Sequence, residues 1–401
     1  MFPIRTLAHL LKPSGAMDSV RPFRVGISGS YGGLNLGDEA ILQVIVTELG
    51  RSLPVDISVF SRNSADTRAR HSVSRVVQVR DLSRGEILPE IDRLDLFILG
   101  GGGILFDSEV GVFLREPMIA IEAGVPVMIY AVGAGPLEQP ASRELVRNCF
   151  EAAQAITVRE RRAQQLLEDI GVRKEIRVTA DPAFLLEPEP LPPDALKGEG
   201  LEDRPRLVGL SVREPGGAAP DIDESHYHAL LANAADYMVD RLDADLVFVP
   251  MEHNVLDVQQ SHRVIAQMAY ARRATVLKGE YTPGQMLSLV GHFAFAVGMR
   301  LHFLIFAALQ GVPFVALPYA SKVMGLLEAF EIAAPPMQRV NVGQLVAYID
   351  RSWDMRSDLR NRIVQALPAL QDRARENNAI ASQLLTNRKL PEKASPKSGE
   401  R

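Results

Sequence analysis

The feature that most constrains this chain is a change of hydrophobic period that recurs along it. Short runs rich in Val, Ile, Leu and Phe alternate with longer segments whose apolar residues return every three to four positions. The first pattern is a strand and the second an amphipathic helix, and their alternation is the mark of parallel sheets covered by helices. "FRVGISG", "VDISVFS", "LDLFILGGGG", "VPVMIYAVGAG", "AITVRE" and "IRVTADPAFLL" form one series of strands. "LVGLSVRE", "DLVFVPM", "ATVLKG", "FAFAVG" and "PFVALPY" form a second. Between them, residues 187–206 are rich in Pro and acidic residues, with little apolar period, and read as a linker.

The expected organisation is an N-terminal extension over 1–22, an α/β lobe over 23–186, the linker, a second α/β lobe over 207–345, C-terminal helices over 346–388 and a disordered tail over 389–401. The C-terminal helical stretch is expected to break near Pro368, and Thr282 with Pro283 marks a helix start. The fold class is α/β, as two doubly wound Rossmann-like lobes facing a cleft.

Composition narrows the function. Of 401 residues, 47% are apolar and 23% charged, as in a soluble globular protein. Lys and Arg number 44 against 49 Asp and Glu, a net charge of -5 that argues against a nucleic-acid binder. The single cysteine, Cys149, rules out an intrachain disulfide and a cysteine metal cluster. Its helical setting makes it a small buried residue rather than a nucleophile. No apolar run approaches the ~18 residues of a membrane span, and Arg5 and His9 interrupt the opening stretch where a signal peptide would be apolar. The expected location is the cytoplasm, with loose association at the inner face of a membrane left open.

Ligands of open α/β sheets collect at the carboxyl ends of strands, where helix N-termini present donors. The strand-to-helix junctions here carry unusual residues. In "GSYGGLNLGDEAIL", Gly32, Gly33 and Gly37 allow close backbone approach around Asn35, and Asp38 is placed to cap the next helix. In "LGGGGILFD", Gly101 and Gly102 belong to a run whose entropy cost is best explained by close approach of a ligand or of the facing loop. Arg159 in "AITVRERR" and Arg213 in "GLSVREPGG" each close a strand, whereas Arg161 and Arg162 belong to the following helix and read as solvated. In "GMRLHFLIF", Gly298 marks the turn and puts Arg300 and His302 at a helix N-terminus, with no need for either to enter the core. There Arg300 offers forked donors to a carboxylate or phosphate, and His302 can exchange a proton near neutral pH. Lys322 in "YASKVMG" sits after another strand, and Glu252 and His253 in "MEHN" after a further one. His226 and His228 read as a solvated helix start. No nucleotide fingerprint, serine-hydrolase elbow or metal-ligand series occurs.

Taken in order, "GSYGGLNLGDEAIL", "LGGGGILFD", "ITVRERRAQQLLEDIGV", "VTADPAFLL" and "GMRLHFLIFAALQGVPFVALPYASKVMGLLE" resemble the polysaccharide pyruvyl transferase family over about residues 24–330. The resemblance implies a GT-B-like enzyme of cell-surface or exopolysaccharide biosynthesis. Such an enzyme moves a pyruvyl group from phosphoenolpyruvate to a sugar, forms a cyclic ketal and releases phosphate, with no further cofactor and no metal. It implies a catalytic set of Arg159, Arg300, His302 and Lys322, with His302 as acid and base and the cations holding donor anions. Arg213, Gly32, Gly33, Asn35, Gly37, Asp38, Gly101, Gly102 and His253 are the expected substrate-binding positions. The acceptor is a sugar or glycan, free, nucleotide-linked or lipid-linked. The alternative is a GT-B glycosyltransferase with a nucleotide-sugar donor. A non-catalytic sugar- or nucleotide-binding protein is a further class, against which Arg300, His302 and Lys322 together argue.

Overall fold

The computed structural model describes residues 21–214, 223–252, 256–317, 321–333 and 340–387, with the side chains of Ser321 and Lys322 outside that description. Strands β1 (Phe23–Ser28), β2 (Val55–Ser61), β3 (Arg75–Gln78), β4 (Leu96–Leu99), β5 (Gly102–Leu105), β6 (Val127–Ala134), β7 (Ala155–Val158) and β8 (Ile176–Val178) build the first sheet. Their order is β3-β2-β1-β4-β6-β7-β8, with β5 paired separately to β6. Strands β9 (Leu207–Ser211), β10 (Asp245–Phe248), β11 (Ala274–Val276), β12 (Phe295–Gly298) and β13 (Phe314–Ala316) build the second, in the order β11-β10-β9-β12-β13. Pairing is parallel throughout both sheets. Helices cover both faces, which is why the central strands β4, β9 and β12 are buried at every residue and read as continuous apolar runs.

Strand order reverses between β1 and β4 in one lobe and between β9 and β12 in the other. A crevice opens at such a switch point, at the carboxyl ends of the strands. The loops that leave these four strands are the glycine loop, the four-glycine run, the Arg213 segment and the Arg300–His302 turn. Topology thus gathers the junctions that were unusual in sequence.

Three features differ from expectation. The edge strand β3 has four residues, too few for its alternation to stand out. The acidic segment after residue 186, read as a linker, is pinned by its own carboxylates. Glu189 accepts from Gln43 Nε2 at 2.7 Å and from the Thr282 hydroxyl, and Glu199 accepts from the Lys278 and Gly279 N–H groups and from Tyr281. Finally, helix Arg356–Thr386 runs through Pro368 without ending, and the break falls at Met355, after helix Val342–Asp354.

A mid-helix proline forfeits a hydrogen bond, but burial of Leu359, Ile363, Leu370 and Ala374 outweighs that loss. This helix returns to the first lobe, where the fully buried Asn377 accepts from Thr157 Oγ1 at 2.6 Å and Thr179 Oγ1 at 2.8 Å. Among the described residues, no helix is long and apolar enough to cross a membrane. Cys149 is buried, and burial pushes its thiol up to about 12.

Candidate functional site

The apolar helix Leu301–Leu309 is buried along nearly its whole length, so its first turn is held firmly at the end of β12. Arg300 is its N-cap residue, and His302 follows just inside. The His302 side chain is 13% exposed and faces the first lobe. A β-carbon built on Gly37 would fall 2.7 Å from His302 Cε1 and closer still to Nδ1, so only glycine lets the imidazole lie there. On its other side, His302 Nε2 stands 3.5 Å from Asp181 Oδ2 and makes no hydrogen bond.

Asp181 follows β8 and caps the turn Pro182–Leu185, its Oδ1 accepting from the Ala183 N–H at 3.0 Å. Its Oδ2 accepts from Arg159 Nη1 at 2.8 Å. Burial by itself would push the Asp181 carboxyl up; the charges of His302 and Arg159 and the Ala183 N–H outweigh that and hold it well below the usual carboxylate range. Arg159 is buried too, with Nε 3.3 Å from Glu160 Oε2. A β-carbon on Gly133 would meet Arg159 Nη2 at 2.8 Å, so the guanidinium lies flat on bare backbone. One carboxylate oxygen therefore joins Arg159 of the first lobe to His302 of the second. Arg159 and Asp181 line a cleft of about 280 Å³ together with Leu301 and Ile305.

Arg300 is 7% exposed, more deeply buried than a helix-start arginine needs to be. Asp257, itself fully buried, takes Arg300 Nε at 3.0 Å and also Nη2, while Glu252 Oε2 takes Nη2 at 3.0 Å. Asp257 further accepts the N–H groups of Met251 and Glu252. The same short segment reaches the glycine loop, for Asn35 bridges Glu252 and the Leu36 N–H donates to Met251 O at 2.8 Å. Arg300 and Asp257 thus fix the segment on which the first lobe's glycine loop rests.

Helix Leu36–Ser52 starts earlier than expected. Asn35, not Asp38, is its cap, accepting from the Gly37 N–H at 3.0 Å and the Asp38 N–H at 3.4 Å. The docking of Leu36 on Met251 sets that start. Asp38 lies in the first turn, 3.3 Å from where a β-carbon on Gly102 would be. Gly32 and Gly102 have φ of +71° and +106°, which side chains rarely adopt. Gly33 is covered by the Arg62 guanidinium, and Gly101 approaches Ala131 O. Protein groups therefore meet these glycines from the sides the structure describes.

Arg213 bonds to Glu214 Oε1 at 2.7 Å, and its carbonyl accepts from Tyr227. Lys322 belongs to helix Ser321–Ala329, its side chain outside the described residues, as is all of His253. His228 is buried and bonded to Gln260, not solvated, because helix Glu224–Leu242 packs there on helix Leu256–Ile265. Among the described residues, no group of three or more His, Cys, Asp or Glu side chains is placed to hold a metal ion.

Asp181 and Asp257 were not among the residues expected from sequence. Asp181 caps the turn that begins at Pro182, and its second oxygen acquires partners only in the fold.

Comparison with known proteins agrees with this architecture. MnaA of S. aureus, solved with UDP, superposes with a TM-score of 0.63 at 11% identity, covering 91% of this chain and 97% of that one. A glycosyltransferase of Rickettsia africae superposes with a TM-score of 0.62 at 11% identity, covering 92% of this chain and 100% of that one. At such identity they establish the two-lobed GT-B fold. The amylovoran biosynthesis protein AmsJ of Erwinia amylovora is 19% identical over 308 residues, 74% of each chain. The profile described as polysaccharide pyruvyl transferase matches residues 35–321. It runs from the cap at Asn35, through both lobes and the loops that meet at the cleft, to the start of the helix that carries Lys322, and on that match the chain belongs to the polysaccharide pyruvyl transferase family.

Proposed function

We propose that this protein transfers a pyruvyl group from phosphoenolpyruvate to a pair of hydroxyls on a sugar, forming a cyclic ketal and releasing inorganic phosphate, in the building of an extracellular polysaccharide. The observation that carries this reading is the alignment of Arg159, Asp181 and His302 across the two lobes. A proton-exchanging imidazole stands beside a fixed carboxylate and a cation, the equipment that enol ether chemistry on an anionic donor requires.

The donor's methylene carbon must gain a proton, which makes the adjacent carbon electrophilic. One sugar hydroxyl attacks that carbon, and its proton balances the one given to the methylene. The carbon–oxygen bond to phosphate breaks; the second hydroxyl closes the ring, and its proton leaves with phosphate. His302 is the group assigned to give and take these protons. Asp181, 3.5 Å from the imidazole, is assigned to stabilise its protonated form by charge. Arg159 and Lys322 are assigned to the donor's carboxylate and phosphate. Arg300, engaged by Asp257 and Glu252, is assigned a positioning role at the turn that carries His302.

The deciding experiment incubates the protein with phosphoenolpyruvate and a panel of sugar acceptors, reading phosphate release and product mass. Acceptor-dependent phosphate release with the mass gain of a pyruvylidene group is expected, and His302→Ala abolishes it. Release of a nucleoside diphosphate from a nucleotide sugar, with phosphoenolpyruvate untouched, would instead identify a glycosyltransferase.

A further inference from the structure

A second cavity, of about 320 Å³, lies in the first lobe at the carboxyl ends of β1, β2 and β3. Ser28 closes β1, Arg62 follows β2 and Arg80 follows β3; Phe113, Arg115 and Glu116 also line it. The volume suits a small ligand such as one hexose with a substituent.

Two polar atoms at this cavity lack partners. Ser28 is 3% exposed, and its hydroxyl makes no hydrogen bond. Its side chain faces the cavity side of the sheet, because Gly26, two residues earlier on the same strand, packs against Phe60, another residue of the cavity wall. Arg62 Nε is likewise buried without a partner, although Arg62 Nη2 donates to Ser30 O and Ser30 Oγ, both at 2.9 Å. A buried donor left without a partner is costly, so two at one cavity wall call for a ligand.

Charge says which kind. Arg62, Arg80 and Arg115 face a single carboxylate, Glu116, which Arg115 Nε already engages at 2.8 Å. Arg115 is also fixed to Val79 O at 2.7 Å. The remaining cationic capacity belongs to Arg62 and Arg80.

We infer that this cavity is a subsite for an anionic sugar, a hexose carrying a carboxylate or a phosphate, and, on the reading given under Proposed function, that it holds the acceptor. The glycine loop connects it to the reacting centre. Arg62 covers Gly33 at one end of that loop, and His302 covers Gly37 at the other.

The test is titration of the full chain with glucuronate, glucose 6-phosphate and glucose, followed by calorimetry or ligand-observed NMR. At least one anionic sugar should bind about tenfold more tightly than glucose, the gain from one charge-assisted hydrogen bond. The tighter of the two identifies the anion as carboxylate or phosphate. Arg80→Ala should remove most of that gain and leave glucose unchanged. Ser28→Ala should weaken sugar binding without lowering thermal stability, since the hydroxyl holds nothing in the fold.

Phosphoenolpyruvate affinity should be unaffected by Arg80→Ala. Equal binding of glucose and both anionic sugars, insensitivity to Arg80→Ala, or a parallel loss of phosphoenolpyruvate binding would overturn the assignment. Because the readout is binding and not turnover, it stands or falls separately from the proposed pyruvyl transfer.

Discussion

The imidazole of His302 lies against the α-carbon of Gly37, one residue from each lobe, with no room between them for a β-carbon. The contact is set from both sides. Asn35 caps the helix that carries Gly37, and the buried helix Leu301–Leu309 carries His302.

Gly37→Ala tests whether this contact matters for chemistry. Alanine suits a helix better than glycine does, so the fold should persist and the imidazole must move. A displacement of about an ångström from reacting geometry costs roughly 10²-fold in rate. Steady-state turnover with phosphoenolpyruvate and acceptor should fall by about that factor, with an unchanged circular dichroism spectrum. Full activity would remove His302 from the reacting centre as the structure places it.

Asp181→Asn removes the charge shared by Arg159 and His302. Because the folded-state carboxyl lies well below its usual 3.8, Asp181 contributes stability that is present above about pH 4 and lost as pH falls further. The variant should therefore melt below the wild type at neutral pH, and the gap should narrow steadily below pH 4. A gap independent of pH would contradict the assigned pairing.

Arg300→Met leaves Asp257 buried without its guanidinium. Breaking such a pair costs about 3–5 kcal/mol, and urea denaturation should show a loss of that order. Arg300→Lys should recover only part, because an ammonium cannot reproduce the fork on Asp257. Equal stability of the lysine variant and the wild type would argue against a positioning role.

Asn377→Ala separates architecture from chemistry. It deprives the Thr157 and Thr179 hydroxyls of their shared acceptor where the last helix meets the first lobe. The expected cost is about 1–3 kcal/mol by thermal or chemical denaturation. Phosphoenolpyruvate affinity should be unchanged.

Strands, helices and the two-lobed plan were legible in the sequence because they rest on local period. β2 runs over the expected "VDISVFS", and Thr282 and Gln285 form the capping box at the helix start marked by "TPGQ". Arg159, Arg300 and His302 stood out because each follows a strand, and strand ends are readable one at a time. β3 was too short to announce itself, and Pro368 signalled a break that packing overrode.

What the sequence determined by itself is the set of elements and the junctions that bear reactive side chains. Only the tertiary structure decided how those junctions combine. It sent one Asp181 oxygen to both Arg159 and His302, enclosed Arg300 between Asp257 and Glu252, and placed His302 on Gly37. Local hydrogen bonding and hydrophobic period act over a few residues, whereas these contacts join positions far apart in the chain. They exist only once sheet order and burial have brought two lobes together.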